Sequence, residues 1–332
     1  GLRYVRKSGV GQAVSHQFSA LEKAGISVVR RFDPHADIIH INTVFPDSLF
    51  MILLARIMRW KVVMWAHSTM EDFRGSFPFS DRLAPLFKHY ITFCCNRADA
   101  VITPTVYSCR LITEYGVRRP VTALSNGVDT GFFIRNRNRG VYFRKKYGFC
   151  ADDKIVVTAA LPIERKGITE FIELARRMND VHFVWFGSLE AILIPRKIKA
   201  AIAAAPSNVH FAGFVTQAEL AGAYSGADCF LFMSREETEG IADLEALSCS
   251  IPVVLRDIPA YSGLAEEGLD VCLFHTLDEC EERVRHVLSH DMSALSEKER
   301  SLAKERDLSL IGQRLSEVYR QIVKREKHDR LP

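Results

Sequence analysis

The sequence has no C-x-x-C pair, although it contains eight cysteines, at positions 94, 95, 109, 150, 229, 249, 272 and 280. That removes the usual spacing of a structural zinc site or a dithiol redox pair. Several of these cysteines lie in apolar runs such as Asp228–Ser234, where a free thiol packs as a small hydrophobe, as expected in a reducing cytosol. No signal peptide opens the chain, and the most apolar stretch, Ser48–Ala55, ends at Arg56, too short to cross a bilayer. Any membrane contact is therefore expected to be peripheral. Repeats, low-complexity tracts and coiled coils are absent as well. The chain opens at Gly1 rather than Met, which reads as a processed start or a fragment lacking the beginning of its first strand.

What is present suits two packed domains. The 332 residues are 48% hydrophobic and 25% charged, which excludes a disordered chain. The net charge of +4 is unevenly spread: residues 1–150 hold 22 Lys/Arg against 10 Asp/Glu, a net of +12, whereas 151–332 hold 22 against 30, a net of −8. A basic first half either favours an anionic surface or substrate, or is simply a solvated face.

Short β-branched runs alternate with amphipathic helical patterns. In the first half, strands are predicted at Leu2–Val5, Ser27–Arg31, Asp37–Thr43, Lys61–Ala66, Ala100–Pro104 and Val121–Ser125, with helices at Gly11–Ala24, Asp47–Arg59, Ser80–Ala98 and Tyr107–Tyr115. The pattern restarts with strands at Lys154–Ala160, Val181–Gly187, Asn208–Val215, Cys229–Ser234, Pro252–Asp257 and Asp270–Phe274. Helices Gly167–Met178, Leu189–Ala205, Gln217–Ser225, Gly240–Ser248 and Tyr261–Glu267 fall between them. Continuous apolar strands joined by helices imply parallel, doubly wound sheets covered on both faces. The Lys/Arg-rich stretch Arg135–Lys146 has little apolar periodicity and reads as the linker; Leu308–Lys327 has helical spacing and reads as a capping helix. Two such domains bind ligands in a cleft at the carboxyl ends of their strands. Residues just after strands are thus the candidates.

Ser8-Gly9-Val10-Gly11 follows the first predicted strand and opens a helix, so Gly9 and Gly11 suit either an ordinary tight turn or backbone approach to a phosphate. Val14 breaks a dinucleotide fingerprint, and no Gly-Lys-Ser/Thr makes a P-loop. His67, at a strand end, is placed to orient a sugar hydroxyl or stabilise developing charge, or to serve as a structural hydrogen-bonder. Arg165 and Lys166, after the first strand of the second half, suit a diphosphate or a solvated turn. In Ser234–Glu245 a loop carboxylate, Glu237, precedes a helix opened by Gly240 and Ile241, with Glu245 two turns away. Glu237 can receive sugar hydroxyls, Glu245 a ribose diol, and the amides of Gly240 and Ile241 a leaving phosphate. Paired carboxylates also occur in glycosidases, but a hydrolase has no need of the dibasic pair.

Together these residues resemble the retaining glycosyltransferase family GT4. Glu237 and Glu245 fit its E-x7-E pattern, Arg165-Lys166-Gly167 its R/K-K-G element and Ser125-Asn126-Gly127-Val128-Asp129 its N-G-V-D turn. Ser8–Gly11 resembles the family's glycine loop, and His67 its acceptor-side histidine. The resemblance implies α/β GT-B architecture, two doubly wound Rossmann-like domains with a cleft between them. It divides the chain into an acceptor domain at 1–140, a nucleotide-sugar domain at 141–308 and a C-terminal helix at 309–332 crossing back to the first. It also implies retention, with Glu245 on the ribose, Arg165 and Lys166 on the diphosphate, Glu237 at the donor sugar and His67 in the catalytic set. No metal or other cofactor is expected; no D-x-D motif occurs.

A narrower resemblance, carried by Lys7–Gly11 and His67–Phe77, is to Gram-positive enzymes that extend monoglycosyl-diacylglycerol. It implies a UDP-sugar donor, a glycolipid acceptor near Phe73, Arg74 and Phe77, no nucleic-acid partner, and peripheral attachment to the cytoplasmic face of the plasma membrane. Phe73, Phe77, Phe79, Leu83, Leu86, Phe87 and Tyr90, with Arg74, Arg82 and Lys88, form a basic amphipathic stripe that either meets anionic lipid or packs on its own domain. Two residues depart from the family pattern, Glu239 and Asp243, and both add carboxylates near the diphosphate site. The alternatives are a GT4 enzyme with a soluble or polysaccharide acceptor and a catalytically impaired nucleotide-sugar-binding homologue. The reading requires the 165–166 pair to stand beside the acidic residues. It expects Glu237→Ala and Lys166→Ala to remove most turnover while leaving thermal unfolding nearly unchanged.

Overall fold

The computed structural model describes residues 8–29, 33–77, 79–188, 194–262 and 273–329. The expected strand Leu2–Val5, residues 263–267 of the expected last helix and Cys272 lie outside them, and Ser27–Val29 are not in a strand. The chain divides into two compact units. Gly1–Arg74, Ser80–Gly127 and Arg306–Pro332 form unit 1; Gly75–Phe79 and Val128–Glu305 form unit 2.

Unit 1 runs α1 (Gly9–Lys23), β1 (Ile38–Ile41), α2 (Pro46–Met58), β2 (Lys61–Trp65), α3 (Met70–Phe73), α4 (Ser80–Cys95), β3 (Ala100–Thr103), α5 (Val106–Glu114) and β4 (Val121–Ala123). The strands pair in parallel in the order β1-β2-β3-β4. Alternate residues of β2 feed opposite faces. Val62 and Met64 pack with Ile52 and Ala55 of α2 and Ile91 of α4, while Val63 and Trp65 pack with Ala20 and Leu21 of α1. Local chemistry sets the ends: Pro46 opens α2, and Thr105 and Ser108 close a reciprocal capping box on α5.

Unit 2 runs α6 (Arg137–Tyr147), β5 (Ile155–Ala159), α7 (Ile168–Arg177), β6 (His182–Phe186), α8 (Arg196–Ala203), β7 (Val209–Gly213), α9 (Gln217–Gly226), β8 (Cys229–Phe232), α10 (Ile241–Ser248), β9 (Val253–Arg256), β10 (Leu273–Phe274), α11 (Leu277–Ser289) and α12 (Ser293–Lys304). Its six parallel strands lie in the order β10-β9-β8-β5-β6-β7. Strand order reverses between β5 and β8, where Val156 faces Cys229 and Val157 faces Phe230. Helices leave to opposite sides at such a reversal, so the loops after these two strands border the crevice where open α/β sheets take ligands.

The linker reading of Arg135–Lys146 is overturned, because the segment is helix α6. Asn136 caps it by accepting from the Arg139 amide at 3.0 Å, and Gly148 ends it in the left-handed conformation. Apolar periodicity hid it because its contact face is largely Gly140 and Phe143. A Cβ on Gly140 would lie 2.7 Å from Ser225 O, so glycine lets α6 and α9 approach backbone to backbone. Arg144 fixes the crossing by donating to Gly226 O and pairing with Asp228. The division between units therefore falls after Gly127, ahead of the boundary expected at 140, which lies inside α6. Gly140→Leu is expected to cost about 2–3 kcal/mol by overpacking; urea unfolding with an unchanged midpoint would contradict this packing.

The last helix, α13 (Leu308–Asp329), belongs to unit 1. Leu308, Ile311, Leu315 and Ile322 are buried with Leu21 and Trp65, each worth about 1.5–3 kcal/mol of burial. Gly312 abuts the Ala20 carbonyl of α1, leaving no room for a side chain.

Candidate active site

The donor-side candidates of unit 2 converge at its strand reversal, whereas Gly9 and Gly11, also expected at the donor phosphates, lie in unit 1. After β5 the chain makes a single 3-10 turn, Glu164–Lys166, and continues through Gly167 at φ +78° into α7. A Cβ on Gly167 would lie 2.5 Å from Met233 Cβ and 2.7 Å from Met233 O. Glycine is what allows this turn to lie against the end of β8. The Arg235 amide then donates to Arg165 O at 2.9 Å, locking the two loops together.

Lys166 and Glu237 consequently form an ion pair, with side chains only 14% and 8% exposed. Lys166 also stands over the Phe232 ring. Arg165 turns differently: it donates to the Glu236 carbonyl and, at 3.3 Å, to Ser76 Oγ in the short segment Gly75–Phe79 of the same unit. The pair at 165–166 thus stands beside the acidic loop, as the reading requires.

Gly240 is the N-cap of α10, and a Cβ there would meet the Asp243 carboxyl group and force it to shift. The amides of Ile241 and its neighbours in the first turn point out of the helix end, a natural anion cradle. Glu245, just over one turn along the helix, is buried. Burial, and then the neighbouring Asp243, push its carboxyl group up to about 8. Asp243 is held up at about 7, chiefly by burial. The loops are further braced by Glu170, which pairs with Arg256 at 2.7 Å and with Arg235 at 3.2 Å. Glu170, Arg256 and Tyr261 escaped the sequence reading. They belong to no spaced motif, and only the sheet order brings them to these loops.

Unit 1 holds the acceptor-side candidates except Phe77, which lies in the Gly75–Phe79 segment of unit 2. His67 follows β2, and its Nε2 lies 3.0 Å from Asn42 Oδ1 and 3.4 Å from Gln17 Nε2. The ring stacks on Trp65 with 5.5 Å between centroids, and Trp65 stacks on His40 at 5.7 Å. Burial, with His40 adding a smaller push, lowers His67 to about 3. The imidazole therefore stays neutral in the physiological range and acts as a hydrogen-bonding group. No His67 inflection is expected in a pH–rate profile between 5 and 9. Unfolding should report the same depression. Between about 3 and the unfolded value of about 6.5 the unfolded chain binds more protons, so stability falls as pH falls through that window. Relative to His67→Gln, wild type is expected to lose at most about 1.4 kcal/mol per pH unit there. Parallel acid-unfolding curves for the two proteins would contradict it.

Gly9 and Gly11 open α1 rather than forming a separate loop, and Gly9 faces open space. They present first-turn amides behind the N-cap Ser8. Gly127, in the Ser125–Asp129 turn, accepts from His16 Nδ1 at 2.7 Å and lies against Leu308 and Ile311. Thr69 caps α3, and Tyr115 secures it by donating to Glu71 and accepting from the Met70 amide. Phe73 stacks on Phe87 at 4.2 Å, and Arg74 and Phe77 are exposed. The amphipathic stripe therefore splits: Phe73, Phe87 and Tyr90 are partly buried, while Phe77, Phe79, Leu83 and Leu86 remain exposed. Sequence reading also missed an exposed apolar edge on α2, formed by Phe50, Leu53 and Ile57, the last 78% exposed. That helix is apolar on nearly all sides, and such a pattern gave no cue to which side faces out.

Comparison with known proteins agrees with the fold. The profile of Glycosyltransferase Family 4 matches residues 13–132, and that of Glycosyl transferases group 1 matches 152–290. The processive diacylglycerol alpha-glucosyltransferase of Acholeplasma laidlawii is 36% identical, over 96% of each chain. The alpha-galactosylglucosyldiacylglycerol synthase of Streptococcus pneumoniae is 27% identical, over 77% of this chain and 71% of its own. Anabaena HepE in complex with UDP-glucose superposes with a TM-score of 0.73 at 19% identity, covering 95% of this chain and 84% of the other, which shows the shared GT-B fold. With both halves matched and one relative similar along its full length, the chain is a glycosyltransferase and belongs to family 4.

Proposed function

We propose that this glycosyltransferase moves a hexose from a UDP-sugar to a diacylglycerol-based glycolipid, with retention at the anomeric carbon and without a metal. The observation that carries the donor side is the enclosed Lys166–Glu237 pair beside the amide end of α10. A diphosphate docked there meets Lys166, Arg165 and the Gly240–Ile241 amides. These groups neutralise the charge that develops as the nucleoside diphosphate departs, the task a metal performs in other transferases. Glu237, released from Lys166 by the incoming phosphate, is free to accept hydroxyls of the donor sugar. Glu245 is the ribose partner. Attack by the acceptor from the face that the diphosphate leaves gives retention.

The acceptor reading rests on unit 1 and on the relatives, whose names specify diacylglycerol and glucosyldiacylglycerol lipids. Monoglycosyl-diacylglycerol is the first candidate, with His67 orienting a hydroxyl and Phe73, Arg74 and Phe77 as lipid contacts. No described helix is long and apolar enough to cross a membrane. Peripheral docking at the cytoplasmic face, through the basic first half, is supported by exposed Phe50, Leu53 and Ile57 on α2 with Arg56 and Arg59 beside them. Product mass spectrometry with UDP-glucose and UDP-galactose against diacylglycerol and monoglycosyl-diacylglycerol tests the reaction. Released UDP without a glycosylated lipid would remove the lipid acceptor. Indifference to anionic vesicles in co-sedimentation would remove the membrane surface.

A further inference from the structure

The first turn of α10 holds a carboxyl group to which the proposed reaction gives no task. Asp243 is 2% exposed. Its Oδ2 accepts a hydrogen bond from the Tyr261 hydroxyl, while Oδ1 has no hydrogen-bond partner among the described residues. The group abuts Gly240, Oδ2 nearest and Oδ1 next, so that both carboxyl oxygens lie beside the N-cap of the helix. Around Asp243 stand Glu237, Glu245, Lys166, Tyr261 and Tyr224, with Glu239 facing Tyr261. Burial and the carboxyl neighbours oppose a charge here; Lys166 and the Tyr261 hydroxyl favour it. Since Tyr261 donates to Oδ2, the proton of the neutral acid sits on Oδ1, the oxygen with no other partner.

We propose that Asp243 serves the donor site as a neutral acid, its Oδ1–H directed to a diphosphate oxygen at the start of α10, so that binding a nucleotide sugar takes up one proton from solution. The inference rests on the donor reading above. Ionised, the same group repels the diphosphate and competes for the helix amides. Protonated, it becomes one more donor to the anion.

Calorimetry with UDP-glucose on the full chain between pH 6 and 9, in buffers of different ionisation heat, tests it. The diphosphate of UDP-glucose is esterified at both ends and does not titrate in this range. Uptake is expected to approach one proton at the alkaline end, with affinity falling about tenfold per pH unit there. Asp243→Asn keeps a donor without a charge and should bind as tightly as wild type at pH 6. It should lose the part of the uptake and pH dependence that Asp243 contributes, leaving only what Glu245 adds near 8. Asp243→Leu should show the same reduced pH dependence but bind about tenfold more weakly, having lost a hydrogen bond to a charged group. Tyr261→Phe removes a bond that favours the charged form and should move the loss of affinity to higher pH. A flat wild-type profile, or unchanged uptake in Asp243→Asn, overturns the inference and leaves the donor site standing. If UDP-glucose fails to bind at any pH, the donor reading itself falls, and this inference with it.

Discussion

Lys166→Ala is expected to lower turnover by about 10²–10³-fold, the usual consequence of removing one donor from a developing oxyanion. It is also expected to destabilise the fold by about 3 kcal/mol, because it leaves Glu237 enclosed without its counter-charge. The sequence reading expected unfolding to be nearly unchanged. That expectation did not include a partner for Lys166, and the structure shows it paired with Glu237 with little access to water. A double-mutant cycle separates the two effects. Lys166→Met with Glu237→Gln removes both charges, so much of the lost stability should return while turnover stays low. The coupling should exceed about 1 kcal/mol, as for groups in direct contact. Stability losses that simply add would mean the pair is not formed in solution; near-wild-type turnover in either single variant would remove that residue from the site.

Gly167→Val should have the largest effect on the fold, about 3–5 kcal/mol, from two sources. The residue sits at φ +78°, where a β-branched side chain is strained. Its Cβ would also overlap the backbone of Met233, the residue directly after β8, whose preceding neighbour Phe232 is held by pairing with Leu255. Relief of the overlap requires the 3-10 turn to lift away from β8 and carry Lys166 with it. Any folded fraction should therefore also lose activity. Gly148→Val serves as the control. It shares a left-handed conformation, at φ +76°, but a Cβ there meets nothing, so only the strain should be felt. Equal losses at the two positions would show that contact with Met233 contributes nothing.

Much of this molecule was legible without coordinates. Ile155–Ala159, His182–Phe186 and Cys229–Phe232 are buried on both faces, and such strands write themselves into the sequence as unbroken apolar runs. Glu237 and Glu245 were found because a loop carboxylate and a helix carboxylate eight positions apart keep that spacing whatever surrounds them. Helix α6 was missed because a glycine-lined contact carries no hydrophobic period. The exposed edge of α2 was missed for the opposite reason, too many apolar residues rather than too few.

Local chemistry fixed by neighbours in the chain was thus settled by the sequence: strand runs, capped helix starts, the dibasic turn, the acidic loop and membership of two α/β units. Tertiary structure alone decided which loops meet. The reversal of strand order between β5 and β8 places residues some 70 positions apart in one ion pair. It also decided which charges lose their water, and this turned Asp243 from an apparent defect into a buried acid with one oxygen left to offer. Burial and long-range pairing depend on the packing of the whole chain, and no window of sequence contains them.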